Sequence, residues 1–278
     1  KKLKLDSKNK LILNLVPFLL GLVQSFSLPP YNFLIINFIT FPILLLIIID
    51  NSKESKWILF KIGWLFGFGY FISNLYWITN SLTFEEIFKP LIPIALIVIP
   101  LFLGLFYGFA TLITSFFELR KNIITILLLS LSFSIMEFIR GFVLGGFPWN
   151  LIVFSWSNYI ESLQILSFIG TYSFNLISIT IFSLPLIIFF KKIFKFKFLF
   201  VFSLCSFLAL NHIFGTWVIK QKNNYFNELD FKIKIVSPKI DIKRFLKYED
   251  PENSIKELIS LAKPNPSEKT IFIFPEGI

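Results

Sequence analysis

Cysteine is almost absent from this 278-residue chain. Its single Cys205 lies in the apolar run LFVFSLCSFLAL, so no disulfide closes within the chain and no thiolate metal cluster can form. In such a run a lone thiol reads as a small packing or lipid-facing residue. Histidine is as sparse: His212 stands near the end of an apolar stretch with no neighbouring carboxylate or second ligand, and is read as structural. Charge is scarce too. Charged side chains make up 16% of the chain, hydrophobic ones 55%, and the mean hydropathy is +0.73, whereas a soluble domain has roughly 25% charged residues. That balance excludes an ordinary soluble globular domain and identifies an integral membrane protein. The net charge of +10 could suggest a nucleic-acid partner, but 16 of the 27 Lys and Arg precede Lys220 against 8 acids, while the remainder carries 11 against 9. The excess sits in loops between apolar runs, which argues against nucleic acid.

A membrane-crossing helix needs about 20 mostly apolar residues. Seven runs qualify or nearly do, at about 11–28, 31–49, 57–79, 91–117, 122–140, 162–190 and 195–219. The first is interrupted by Asn14, Pro17 and Gln24 and joined to the second by Leu28-Pro29-Pro30-Tyr31, so the two form a tight helical hairpin. The basic start KKLKLDSKNK precedes a run without a small-residue cleavage site, so it reads as an uncleaved first span. Basic residues stay on the cytoplasmic side. With the N-terminus inside, the inner segments hold Lys1, Lys2, Lys4, Lys8, Lys10, Lys53, Lys56, Lys61, Arg120, Lys121, Lys191, Lys192, Lys195 and Lys197, and the outer ones hold only Lys89 and Arg140. Everything after Trp217 then lies outside, in the periplasm of a bacterium with two membranes.

Between the fifth and sixth runs, GFVLGGFPWNLIVFSWSNYIE at Gly141 to Glu161 is aromatic and apolar yet broken by Gly145, Gly146 and Pro148. It is too interrupted to span and too apolar for a solvated loop, so it lies along the outer interface or re-enters the membrane. Two readings stay open: a lipid-accessible mouth, or an aromatic belt in which Trp149, Trp156 and Tyr159 sit at headgroup level, the belt being favoured on composition. Glu137 and Arg140, three apart on one helical face at the outer end of the fifth run, can pair and lower the cost of charge near lipid. A structural clamp is the simpler role for them.

The pattern changes at Phe231. FKIKIV alternates with period two, the mark of a half-buried strand. Asp250 suits an N-cap, Pro251 the first helical position and Glu252 the positive end of a helix; Ile255, Leu258, Ile259 and Ala262 then recur at helical spacing. A helix over about 251–262 is expected, ended by Pro264-Asn265-Pro266, and Thr270 to Phe274 reads as a buried strand. Strand, helix and strand make a βαβ unit, in which active sites gather beyond the carboxyl ends of the strands. Glu276 sits at that end, as a general base or as an ordinary loop acid.

Four segments resemble the apolipoprotein N-acyltransferases: GWLFGFGYFISNLYWI at Gly63 to Ile78, MEFIRGFVLGGFPWN at Met136 to Asn150, FIGTYSFNLI at Phe168 to Ile177, and FPEG at Phe274 to Gly277. The resemblance implies a bundle of about seven transmembrane helices over 1–220, followed from 221 by the first βαβ part of an αββα nitrilase-like domain with a Glu, Lys and Cys triad. It implies transfer of an acyl chain from a phospholipid through a cysteine thioester to the amine of a diacylglyceryl cysteine on a lipoprotein, without a cofactor or metal. Glu276 matches the general base, and Trp149, Trp156, Glu137 and Arg140 are candidates for the lipid interface. No later Lys and Cys of the triad are found by Ile278, so the chain is expected to be C-terminally incomplete, inactive by itself, monomeric, and seated in the inner membrane. A non-catalytic permease or scaffold is the competing reading. The clustering of polar residues at the outer end, without an evident repeat, disfavours it.

Overall fold

The structure, a computed structural model, describes residues 10–190, 194–223, 231–237 and 251–274. Helices dominate it. They are α1 (Lys10–Gln24), α2 (Asn37–Asp50), α3 (Lys56–Asn74), α4 (Ile92–Thr114), α5 (Ile123–Arg140), the short α6 (Ile160–Leu163), α7 (Leu166–Phe182) and α8 (Phe194–Asn223). Four of the described helical stretches are long and apolar enough to cross a membrane: Glu86–Thr114, Ile123–Arg140, Leu166–Phe189 and Phe198–Gln221. A fifth arises if α3 and the 3-10 segment Tyr76–Thr83, bent by 49° at their junction, are one span. The first two apolar runs form shorter helices, Leu13–Ser27 and Leu34–Asp50. Their shortness follows from the turn between them, where Leu28 to Phe33 leave helical geometry.

One polar residue that interrupts the first apolar run, Gln24, joins the hairpin. Gln24 is fully buried, donates to Asn37 Oδ1 and Ser27 Oγ, and accepts from the Thr40 hydroxyl. A satisfied network of this kind ties helices together where lipid offers no hydrogen bonds. Close approach does the rest. A Cβ on Gly21 of α1 would stand 2.0 Å from the Phe66 carbonyl oxygen of α3, and one on Gly67 of α3 would stand 2.8 Å from Gly104 Cα of α4. The centre is aromatic: Phe41 meets Phe66 at 6.2 Å, Phe133 at 6.1 Å and Phe182 at 6.4 Å between ring centroids.

Beyond α8 the described chain forms β1 (Lys232–Ile235), α9 (Pro251–Ala262) and β2 (Thr270–Ile273). The strands pair in parallel, with Lys232 opposite Thr270 and Ile235 opposite Ile273. The βαβ unit expected from the pattern is therefore present, and its helix has the expected bounds. Asp250, read as its N-cap, lies outside the described residues. Burial departs from expectation. Val236, Leu258, Ala262 and Phe272 make a small core under the helix, whereas Ile233, Ile235, Ile271 and Ile273, on the other face of the pair, are 48–73% exposed. One helix can cover only one face of a two-stranded sheet.

Candidate functional site

The C-terminal end of α5 carries Glu137 and Arg140, at 0% and 1% exposure. They do not face lipid, as their place at a helix end suggested, but lie inside the bundle. The carboxylate is held from two other helices: the Tyr107 hydroxyl of α4 donates to Oε1 at 2.6 Å, and Asn175 Nδ2 of α7 donates to Oε2. Arg140 Nη2 stands 3.8 Å from Oε1, an ion pair without a hydrogen bond. The guanidinium instead uses Nη1 to donate to the carbonyl oxygens of Phe147 and Trp149, each at 2.8 Å. Its carbon lies 5.0 Å from the Phe71 ring centroid and 5.7 Å from that of Phe147, within cation–π range.

Two further buried groups hold the same loop. The Tyr70 hydroxyl donates to the Asn150 carbonyl at 3.0 Å, and Asn175 Oδ1 accepts the Val153 amide at 2.8 Å. Asn175 thus bridges loop and carboxylate with both ends of its amide. Tyr70, Tyr107 and Asn175 were not singled out in the sequence, although the first and last stand in the matched segments. Their signal was a polar atom inside an apolar run. Among the described residues no group of three His, Cys, Asp or Glu side chains is placed to hold a metal ion.

The segment after α5 divides in two. Phe142, Val143, Leu144 and Trp149 are 44–82% exposed, while Leu151, Ile152 and Val153 are at most 2% exposed and enter the core. The loop therefore enters the bundle core on one side of Trp149 and forms an exposed apolar rim on the other. Trp149 and Tyr159, 55% and 41% exposed, fit the aromatic belt. Trp156 does not: it is 6% exposed, stacks on Phe182 at 5.6 Å, and donates through Nε1 to Ser178 Oγ at 3.0 Å. Burial satisfies both its ring and its N–H, which a belt position would leave to headgroups and water. Trp149 meets Trp77 at 5.9 Å and Phe147 at 5.2 Å. His212 is exposed on α8, and Cys205 is a free, exposed thiol on the same helix.

Beside the buried cluster lies a cavity of about 370 Å³, between Val98, Phe102 and Phe106 of α4 and Val143, Leu144 and Phe147 of the loop, with Arg140 also in its lining. Several of these wall residues are themselves exposed apolar groups, so the cavity opens on the surface that would face acyl chains. Chemically it is an apolar slot with one buried cation behind it. Glu276 lies outside the described residues, and the site described is formed without it.

Comparison with known proteins converges on the same segments. The family model of the apolipoprotein N-acyltransferase N-terminal domain matches residues 20–184, a stretch that contains Tyr70, Tyr107, Glu137, Arg140, Asn175 and the whole loop after α5. An apolipoprotein N-acyltransferase of Brucella melitensis biotype 1 is 28% identical over 278 aligned positions, covering 94% of this chain and 51% of that protein. The Sinorhizobium medicae enzyme of the same name is 33% identical over 181 positions, covering 62% of this chain and 34% of its own length, and the Rhodopseudomonas palustris one 33% over 178, with 62% and 33%. The chain thus spans about half the length of the first of these relatives and about a third of the others. By the match over 20–184, this membrane helical chain belongs to the apolipoprotein N-acyltransferase family.

Proposed function

We propose that the chain supplies the membrane bundle and the opening βαβ unit of an enzyme that transfers an acyl chain from a phospholipid to the terminal amine of a diacylglyceryl cysteine on a lipoprotein. The match to the family's N-terminal domain over residues 20–184 carries this reading. In the chemistry implied, a cysteine thiolate attacks the ester carbonyl of the donor, the lysophospholipid oxygen leaves and takes a proton, and a thioester forms. The lipoprotein amine then attacks the thioester, losing a proton to the base, and the thiol is released as the amide forms. Glu276, in the FPEG segment, is the proposed base.

Cys205 is not read as the nucleophile, because it stands on the exposed surface of an apolar helix. The open Ile233, Ile235, Ile271 and Ile273 face supports a nitrilase-like αββα domain, in which a second sheet covers such a face. The surface cavity and the exposed Trp149 support substrates that arrive through the bilayer. We further read the two short apolar helices and the bent α3 stretch as spans, giving seven in a monomeric inner-membrane protein with the N-terminus cytoplasmic and residues 221–278 periplasmic.

The test is complementation. The complete open reading frame that encodes this chain is expressed in a bacterium depleted of its own N-acyltransferase, and lipoprotein N-termini are read by mass spectrometry. Triacylated lipoprotein is expected from the wild type and none from Glu276→Gln, with equal membrane insertion of both. Full acylation by Glu276→Gln removes Glu276 from the mechanism. Diacylated lipoprotein alone from an inserted wild type overturns the acyltransferase reading.

A further inference from the structure

Bundle side chains hold the loop by its backbone from Phe147 onward, Glu137 at Ile152 among them, and Arg140 supplies two of the bonds. It donates to the Phe147 and Trp149 carbonyls, Tyr70 to the Asn150 carbonyl, and Asn175 accepts from Val153. The preceding stretch has no such hold from the bundle's side chains among the described contacts. Leu144, Gly145 and Gly146 have φ of 55°, 86° and 81°, Gly145 has open space where a Cβ would be, and Leu144 is 82% exposed. The boundary between held and unheld backbone falls at Phe147, which also forms a wall of the 370 Å³ cavity.

An ion pair alone explains neither carbonyl bond. Charge balance for Glu137 needs only a cation nearby, and Arg140 Nη2 at 3.8 Å provides it. The geometry of Nη1 is set by the loop, and a guanidinium in a fixed fork holds such a geometry where a lysine ammonium on a flexible stem does not. Glu137 in turn is fixed by Tyr107 and Asn175. The sequence of contacts therefore runs from three helices, through one carboxylate and one guanidinium, to the side chain that shapes the cavity.

We propose that Arg140 is a positioning residue for the acyl donor: by holding the Phe147 and Trp149 carbonyls it fixes the Phe147 wall of the cavity and so sets the affinity for a phospholipid chain entering from the bilayer. This rests on the phospholipid-donor reading above. Arg140 itself touches no reacting bond.

The experiment titrates a fluorescent phosphatidylethanolamine in detergent micelles against the purified 278-residue chain, reading anisotropy, with the melting midpoint of each variant measured in parallel. Arg140→Lys keeps the charge beside Glu137 but loses the fork. It is expected to stay folded but melt below the wild type, and to bind the probe about tenfold more weakly, as loss of at least one of its two charge-assisted hydrogen bonds implies. Phe147→Ala, which leaves Arg140 and Glu137 in place, is expected to weaken binding likewise, and keeps the test open should Arg140→Lys not fold. Wild-type affinity in a folded Arg140→Lys, or in Phe147→Ala, overturns the positioning role while leaving the donor reading intact. Absence of binding by the wild type above the protein-free micelle control overturns the donor reading, and this proposal with it.

Discussion

Glu137 accepts from Tyr107, Asn175 and the Ile152 backbone and pairs with Arg140 in a space closed to solvent, so what it loses on mutation depends on what is left behind. Glu137→Ala leaves the Arg140 guanidinium buried without its counter-charge and removes the acceptor of Tyr107 and Asn175. The expected destabilisation is about 3–5 kcal/mol, checked by unfolding in a dodecyl sulfate titration. The two tryptophans of the loop respond oppositely. Trp156→Ala empties a packed, hydrogen-bonded site and is expected to cost about 3–5 kcal/mol, whereas Trp149→Ala, at 55% exposure, is expected to change stability by about 0.5 kcal/mol or less in the same assay. At this scale the sequence showed that Glu137 and Arg140 share a helical face. It could not show Tyr107, 30 residues earlier, or Asn175, 38 residues later, arriving at the same carboxylate. Nor could it tell Trp149 from Trp156, because both are aromatic residues of one apolar loop and only packing separates them.

The helices are fixed by apolar length and by breakers, and those were plain: all seven apolar runs contain a helix at the expected place. Their contacts depend on something finer. Gly69 of α3 lies so close to α1 that a Cβ would meet the Phe18 carbonyl oxygen at 2.1 Å, and Gly21 of α1 presses on Phe66 in return. Gly69→Val is therefore expected to abolish the hairpin's packing on α3 and leave no monodisperse protein on size exclusion. Gly145→Ala meets no atom, and its cost is confined to a positive φ of 86°, about 1 kcal/mol. The helix Pro251–Ala262 was legible to its bounds because Pro251 at its first position, Glu252 in its first turn and the apolar periodicity agree there. The strand Lys232–Ile235 was legible as a strand, but its alternation did not tell which face the helix covers. The helix packs over the side of Val236 and Phe272 and leaves the isoleucines open.

For the whole molecule, the charge asymmetry between loops makes orientation testable. In a Cys205→Ser background, a single cysteine at Asn265 is expected to react with a membrane-impermeant maleimide added to spheroplasts, and one at Lys121 only after permeabilisation; the reverse pattern would invert the orientation proposed. The described βαβ unit buries only Val236, Leu258 and Ala262 with Phe272 against them, and so small a core does not offset chain entropy. A peptide of residues 231–274 is accordingly expected to show no cooperative thermal transition by circular dichroism.

Composition and run length by themselves determined that this chain is a membrane helical protein, where its helices lie, and that a βαβ unit follows them, because each follows from local periodicity and from the cost of polar backbone in lipid. The motifs GFVLGGFPWN and FIGTYSFNLI likewise pointed to the family. Only the tertiary structure decided that the charged pair of α5 is buried rather than lipid-facing, that Trp156 is core, and that Arg140 holds the loop through two carbonyls beside a cavity. These depend on which helices come together across long sequence separations, and side chains such as Tyr107 and Asn175 acquire a shared role only when packing brings them within hydrogen-bond reach.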